Sequence, residues 1–190
     1  MKDSGVEWLG MIPKDWEVST FRRYTRLQQG LQIAENLRFK SPGENRFKYI
    51  TVKYINSNSI DNLYYIENPP KSVICSNNDI LFTRTGATGQ VVTNVNGVFH
   101  NNFFKVNYNR KFIIKEYLVY YLKNPLLQEY FLLISGTTTI PDLNHGDFLN
   151  TKLLIPNLKV QKIIIDFLNK KIKDINNIIN KTKTQIQKLK

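Results

Sequence analysis

The stretch from Asn157 to Lys190 constrains this chain most. Apolar residues recur there at alternating steps of three and four: Ile165, Leu168, Ile172, Ile175, Ile179, Ile186 and Leu189, with Thr182 as the one polar member. Such spacing predicts a single long helix with a coiled-coil seam. Pro156 stops the preceding strand, Asn157 stands where an N-cap belongs, and neither Gly nor Pro follows. At about 1.5 Å per residue the segment spans roughly 51 Å, too far for the whole seam to lie on a compact domain at its N-terminal end. Leaving Ile172 to Leu189 in water forfeits about 10 kcal/mol, at about 2 kcal/mol for each large side chain. A partner helix is therefore expected, most simply that of a second copy. An ordinary bundle helix packed on its own core is the alternative.

The 190 residues suffice for one good core plus this helix. A lone Cys75 excludes a disulfide framework and fits a reducing compartment. No apolar run approaches a membrane span, and the N-terminus lacks a signal-peptide core, so a soluble, cytoplasmic protein is expected. The balance of 27 Lys and Arg against 15 Asp and Glu gives a net charge of +12, which favours polyanionic partners. The excess is concentrated in two places. One is the predicted helix. The other runs from Thr20 to Ile60 and holds Arg22, Arg23, Arg26, Arg38, Lys40, Arg46, Lys48 and Lys53.

Residues 5 to 18, with Val6, Trp8, Leu9, Ile12 and Trp16, are too apolar for a free tail and too broken by Gly10 and Pro13 for a helix, so a strap across the domain is expected. Thr20 to Gln28 reads as a short helix with Phe21, Tyr24 and Leu27 on one face, ended by Gly30. A basic loop follows from Ala34 to Arg46. Strand signals cover residues 47–55, 59–66, 80–83, 90–95 and 98–106, separated by Asn, Pro and Gly. From Lys111 the period turns helical, and Asn124-Pro125 caps a second helix. A Thr-rich loop then leads through Pro141 to Gly146-Asp147 and a last strand, Leu153 to Ile155. The fold class is α+β: a mixed or antiparallel sheet with small helices over residues 1–156, followed by one long coiled-coil helix over 157–190.

Catalytic constellations are hard to assemble. His100, His145 and Cys75 make no zinc-ligand spacing, so no metal site is expected. Asn68-Pro69-Pro70 shares three residues with the Asn-Pro-Pro-aromatic signature of adenine methyltransferases, but Lys71 stands where the aromatic belongs. Gly86-Ala87-Thr88-Gly89 has neither the Lys of a P-loop nor a strand-to-helix setting. No catalytic residue and no cofactor of its own are expected.

The run from Asp79 to Val92 is the most informative local stretch. It reads as a buried strand, a polar turn in which Gly86 and Gly89 permit positive φ, and a strand leading away. Such a turn can bring Thr83, Arg84, Thr85 and Thr88 to the rim of the sheet, where Arg can fork onto guanine or phosphate. Alternatively Arg84 pairs with a carboxylate and the glycines only make the turn.

Asn78-Asp79-Ile80-Leu81, Thr83-Arg84, Gly86, Gly89, Asn101, Leu118, Tyr121-Leu122, Ser135-Gly136-Thr137-Thr138, Pro141, Asp147, Ile155-Pro156, Gln161, Ile164 and Phe167-Leu168 follow one another as in the DNA specificity subunits of type I restriction-modification enzymes. The leader Gly5-Val6-Glu7-Trp8-Leu9-Gly10 with Ile12-Pro13 and Trp16-Glu17-Val18 is similar to the segment that precedes a target recognition domain in that family. The resemblance covers nearly the whole chain.

Members usually carry two recognition domains and two long helices, whereas this sequence has one of each and so resembles a half subunit. The resemblance implies a non-catalytic homodimer with antiparallel helices that reads an interrupted palindrome in double-stranded DNA. Its partners would be methyltransferase subunits binding S-adenosylmethionine and a motor-nuclease subunit using ATP and Mg²⁺. Arg38, Lys40, Arg46, Lys48 and Arg84, with Thr83, Thr85 and Thr88, are the expected DNA-facing residues. Two other classes stay open. One is a stand-alone nucleic-acid-binding module in which Tyr49, Tyr54, Tyr64 and Tyr65 stack bases. The other is a coiled-coil interaction protein or decoy that captures methyltransferase subunits.

Overall fold

The computed structural model describes residues 1–57, 59–136 and 141–188. In chain order the elements are β1 (Lys2–Asp3), β2 (Met11–Ile12), β3 (Glu17–Thr20), α1 (Phe21–Tyr24), β4 (Thr25–Gln29), β5 (Arg46–Ile50), α2 (Val52–Ser57), β6 (Tyr64–Glu67), β7 (Ile74–Cys75), β8 (Ile80–Thr83), β9 (Val91–Thr93), β10 (Gly97–Phe99), β11 (Phe103–Tyr108), α3 (Lys115–Leu122), α4 (Pro125–Ile134), α5 (His145–Asn150), β12 (Lys152–Ile155) and α6 (Leu158–Lys188). The architecture is α+β. One four-stranded sheet has the order β6-β5-β10-β7, with β5 and β10 parallel and the rest antiparallel. A second, wholly antiparallel sheet has the order β4-β11-β8-β9. Two short pairs, β1-β2 and β12-β3, complete the strands.

Strand β8 explains how the sheets share one body. All four of its residues are buried; Ile80 and Phe82 enter one hydrophobic core and Leu81 the other. The first core lies under the helices and is dominated by aromatic rings. Phe131 and Phe148 stack with centroids 5.3 Å apart, and Phe82 meets each of them edge-on at 5.1 Å. The second core is built on β5, β10 and their neighbours, with Tyr49, Ile50, Leu81, Val98, Phe99 and Phe103. Gly97 permits the close β5-β10 pairing, because its φ of +150° and its missing Cβ leave room for the Lys48 carbonyl.

The N-terminal segment folds as the β1-β2 hairpin and straps the helices, with Trp8 against Tyr121 and Tyr130 at centroid distances of 6.1 and 6.2 Å. Asn124 caps α4, its side chain accepting from the Leu126 N–H.

Several expectations are corrected. The helix expected over Thr20 to Gln28 lasts one turn, and Thr25–Gln29 is instead β4, paired along its length with β11. The strand expected over 47–55 ends at Ile50, and Val52–Ser57 is helical. Residues 59–66 divide into a 3-10 turn at Ile60–Asn62 and β6. The strand expected over 98–106 is broken by a turn at His100–Asn102. Gly146 and Asp147, expected before or within a strand, lie in α5, whose first turn is capped by Asn144.

Helix α6 is uninterrupted, and Asn157 caps it by accepting from the Val160 N–H at 3.0 Å. Its first turns belong to the globular core: Gln161 is fully buried, and Ile165 is only 4% exposed. From Asn169 to Lys188 every residue is exposed. The middle of the seam is therefore uncovered by its own domain, with Ile172, Ile175, Ile179 and Ile186 at 43%, 54%, 43% and 51% exposure. Leu189, the last seam position, and Thr137 and Thr138 of the Ser-Gly-Thr-Thr run lie outside the described residues. Among the described residues no helix is long and apolar enough to cross a membrane.

Candidate nucleic-acid interface

The parallel pairing of β5 and β10 brings the C-terminal ends of both strands to one end of the sheet, tied by the His100 N–H donating to the Ile50 carbonyl at 3.0 Å. Four segments meet there. Helix α2 leaves β5, and the His100–Asn102 turn leaves β10. The turn after β8 joins them, with the Arg84 N–H donating to the Asn102 carbonyl at 2.8 Å. The Leu31 N–H, donating to Phe99, brings in the start of the basic loop.

A polar groove of about 230 Å³ opens at this edge, lined by Arg38, Lys53, Asn62, Tyr64, His100 and Asn102 among others. Arg38 is its fixed cation. Its guanidinium donates to the Ile33 carbonyl from Nε and Nη2 at 3.0 and 2.6 Å and lies over the rings of Tyr49 and Tyr64. Lys40 also lies over the Tyr64 ring, its Nζ 3.9 Å from the centroid, and donates to the Asp61 carbonyl. Burial, helped by the charge of Arg38, pushes the His100 pKa down. Its Nδ1 accepts from the Asn102 N–H at 3.0 Å, so the proton of the neutral ring sits on Nε2.

The other expected DNA-facing residues divide. Arg46, at the opposite end of β5, pairs with Glu67 at 3.0 Å and stacks over Phe39. Lys48 is exposed in mid-strand, in register with Tyr65. Arg84 forks onto Asp142, Nε to Oδ1 at 2.9 Å and Nη2 to Oδ2 at 2.6 Å, and the Thr85 hydroxyl donates to the same carboxylate at 2.6 Å. The Thr88 hydroxyl lies 2.9 Å from both the Arg84 and Pro141 carbonyl oxygens. Thr83 is fully buried. The turn residues thus form a clamp joining β8 to the segment before α5, the carboxylate-paired alternative for Arg84.

Burial alone would raise the Asp142 pKa, but the hydrogen bonds from Arg84 and Thr85 and the Arg84 charge outweigh it and hold the carboxyl below its ordinary value. Of the tyrosines considered for base stacking, Tyr49 is buried in the second core and donates to the Leu31 carbonyl at 2.7 Å.

The sequence predicts no site role for Gln32, Asn56, Gln90 or Asn102, and Asn101 enters only as part of the family pattern; the structure pairs Gln32 with Asn101 and Asn56 with Gln90 near this edge. Their spacing carries no local period, so only the strand crossover reveals that they meet.

A two-core α+β domain with a basic, amide-bearing edge and a projecting helix whose seam is bare has the architecture of a target recognition domain followed by a long helix. Residues 13–188 match the family described as type I restriction modification DNA specificity domain, and the chain belongs to that family. It is 28% identical over 184 residues to the type I restriction enzyme MjaVIII specificity subunit of Methanocaldococcus jannaschii, covering 94% of this chain and 40% of that protein. Two solved structures share the fold. A chain from a type I R-M system superposes with a TM-score of 0.68 at 14% identity, over 89% of this chain and 41% of the other. The HsdS subunit from Thermoanaerobacter tengcongensis gives 0.67 at 14% identity, over 88% and 40%. The chain spans about two fifths of the length of these relatives.

Proposed function

We propose that this chain is a non-catalytic DNA sequence-recognition subunit of a type I restriction-modification system that pairs with a second copy through α6. The observation that carries the reading is the bare isoleucine ridge on a helix that leaves a basic recognition-type domain of this family. Burying those side chains against an identical ridge recovers apolar area that this chain cannot cover alone.

Antiparallel pairing about a two-fold axis, the orientation that the family resemblance implies, sets one recognition domain at each end. Leu168, Ile172, Ile175, Ile179, Thr182 and Ile186, with Leu189, supply the contact; Ile165 is already spent on the domain core. The dimer then reads an inverted repeat in double-stranded DNA, and helix length sets the gap. Each added heptad moves the domains apart by about 10 Å, or about three base pairs.

Contact with DNA falls to the groove and its rim: Arg38, Lys40 and Lys48 meet phosphate, while Arg84, Thr85 and Thr88 hold the turn that shapes the edge. Methyltransferase subunits carrying S-adenosylmethionine, and a motor-nuclease subunit using ATP and Mg²⁺, supply the chemistry in the cytoplasm. The test is reconstitution with methyltransferase subunits, followed by genome-wide mapping of modified adenines. Methylation confined to a split palindrome is the expected result; methylation that is unchanged when this chain is omitted overturns the reading.

A further inference from the structure

Two pairs of carboxamide side chains at the polar edge repeat one arrangement. Asn101, half-buried in the turn after β10, donates from Nδ2 to Oε1 of exposed Gln32 at 2.9 Å. Gln90, half-buried just before β9, donates from Nε2 to Oδ1 of exposed Asn56 at 2.9 Å. In both pairs the inner amide also keeps a buried oxygen, Oδ1 of Asn101 and Oε1 of Gln90, with no partner among the described residues. A buried unpaired oxygen costs stability, so a solvent-seeking amide gains nothing by sitting this way.

The arrangement does have one physical effect: it fixes the outer amide. The outer oxygen accepts one bond from behind and keeps a second lone pair, while its NH₂ remains unbonded among the described residues. An exposed amide held in this way presents an acceptor and a donor side by side, at a reduced entropic cost of ordering. That pairing complements the N6–H₂ donor and N7 acceptor on the major-groove edge of adenine.

We infer that Gln32 and Asn56 read adenine in the major groove and that Asn101 and Gln90 are the positioning residues that aim them. The inference rests on the DNA-recognition reading above and deepens it, because that reading assigns phosphate contacts only. Groove cations Arg38 and Lys53 favour the approach of the DNA backbone; Asn101 lies between the groove residues His100 and Asn102, and Asn56 lies on α2, whose Val52 and Lys53 line the groove.

The experiment selects bound duplexes from a randomised pool with the complex of this chain and its methyltransferase subunits. Wild-type enrichment should contain A·T pairs that Gln32→Ala and Asn56→Ala each relax at one position per half-site. The loss in discrimination should be roughly 5- to 150-fold at that position, with unchanged affinity for unrelated duplexes and an unchanged salt slope. Asn101→Ala should relax the same position as Gln32→Ala, and the double variant should lose no more than either alone. Gln32→Glu, which keeps the shape and offers only acceptors, should shift the preference there from adenine to cytosine. Variants that weaken binding to all duplexes equally, or that leave the selected sequence intact, overturn the inference and leave DNA recognition standing. A wild-type complex that enriches no sequence removes the DNA reading itself.

Discussion

Gln161, on the first turns of α6, accepts a hydrogen bond from the backbone N–H of Ile114 at 2.9 Å, and its Nε2 lies 2.7 and 2.8 Å from the carbonyls of Phe112 and Pro156. One fully buried amide thereby locks the long helix to the start of α3 and to the end of β12. Gln161→Ala strands three backbone groups, and a loss of about 1–3 kcal/mol is expected. Urea denaturation of the two proteins measures it, and an unchanged midpoint contradicts the role.

The exposed ridge predicts a separation of assembly from folding. Ile175→Asp combined with Ile179→Asp introduces charge where the wild type is half-exposed and touches no core, so the melting temperature of the domain should hold. Sedimentation should show monomers in place of dimers, and site-specific methylation should disappear. A variant that remains dimeric rules out the seam.

Acid should destabilise the chain in two stages. Burial, aided by nearby arginines, lowers the pKa of His100 and His145 below the ordinary 6.5. The folded state thus binds fewer protons than the unfolded one, and the stability they contribute is present above 6.5 and erodes as pH falls through their folded values. Asp142, held below its ordinary 3.8, contributes above that value and loses its share as pH falls further. Asp142→Asn should remove the lower stage and leave the upper. Because Asp142 is nearly half exposed, its share is about 1 kcal/mol at most. A thermal melting series across pH reads both stages.

Phe148 sits at the centre of the aromatic core, within 4.7 Å of Phe21 and 5.3 Å of Phe131 by ring centroids. Phe148→Ala should cost about 3–5 kcal/mol. Calorimetry checks the loss, and a variant with a wild-type transition would contradict the packing.

The long helix, β8 and the Asn124 cap were legible in the sequence because each is written in a local signal: a heptad, a continuous apolar run, a capping side chain before proline. The boundary errors arose where local and distant interactions compete. Phe21, Tyr24 and Leu27 have helical spacing, yet Leu27 pairs with Val106 across the β4-β11 ladder, and that pairing draws residues 25–29 into a strand. Val52 to Ser57 is short enough to fit either period, and its helix follows from the chain turning off the end of β5. The polar edge was only partly visible. Its cations could be read as a cluster, whereas Gln32, Asn56, Gln90 and Asn101 become neighbours only through a parallel crossover that no short window of sequence contains.

Because neighbouring side chains of β8 anchor opposite interiors, the half built on β5 and β10 and the helix-bearing half share a party wall. Melting one half would strip the packing from one face of that wall, so the domain should unfold as a single unit. Grafting the β5–β10 half from one relative to another should succeed only when the grafted segment brings a compatible wall with it.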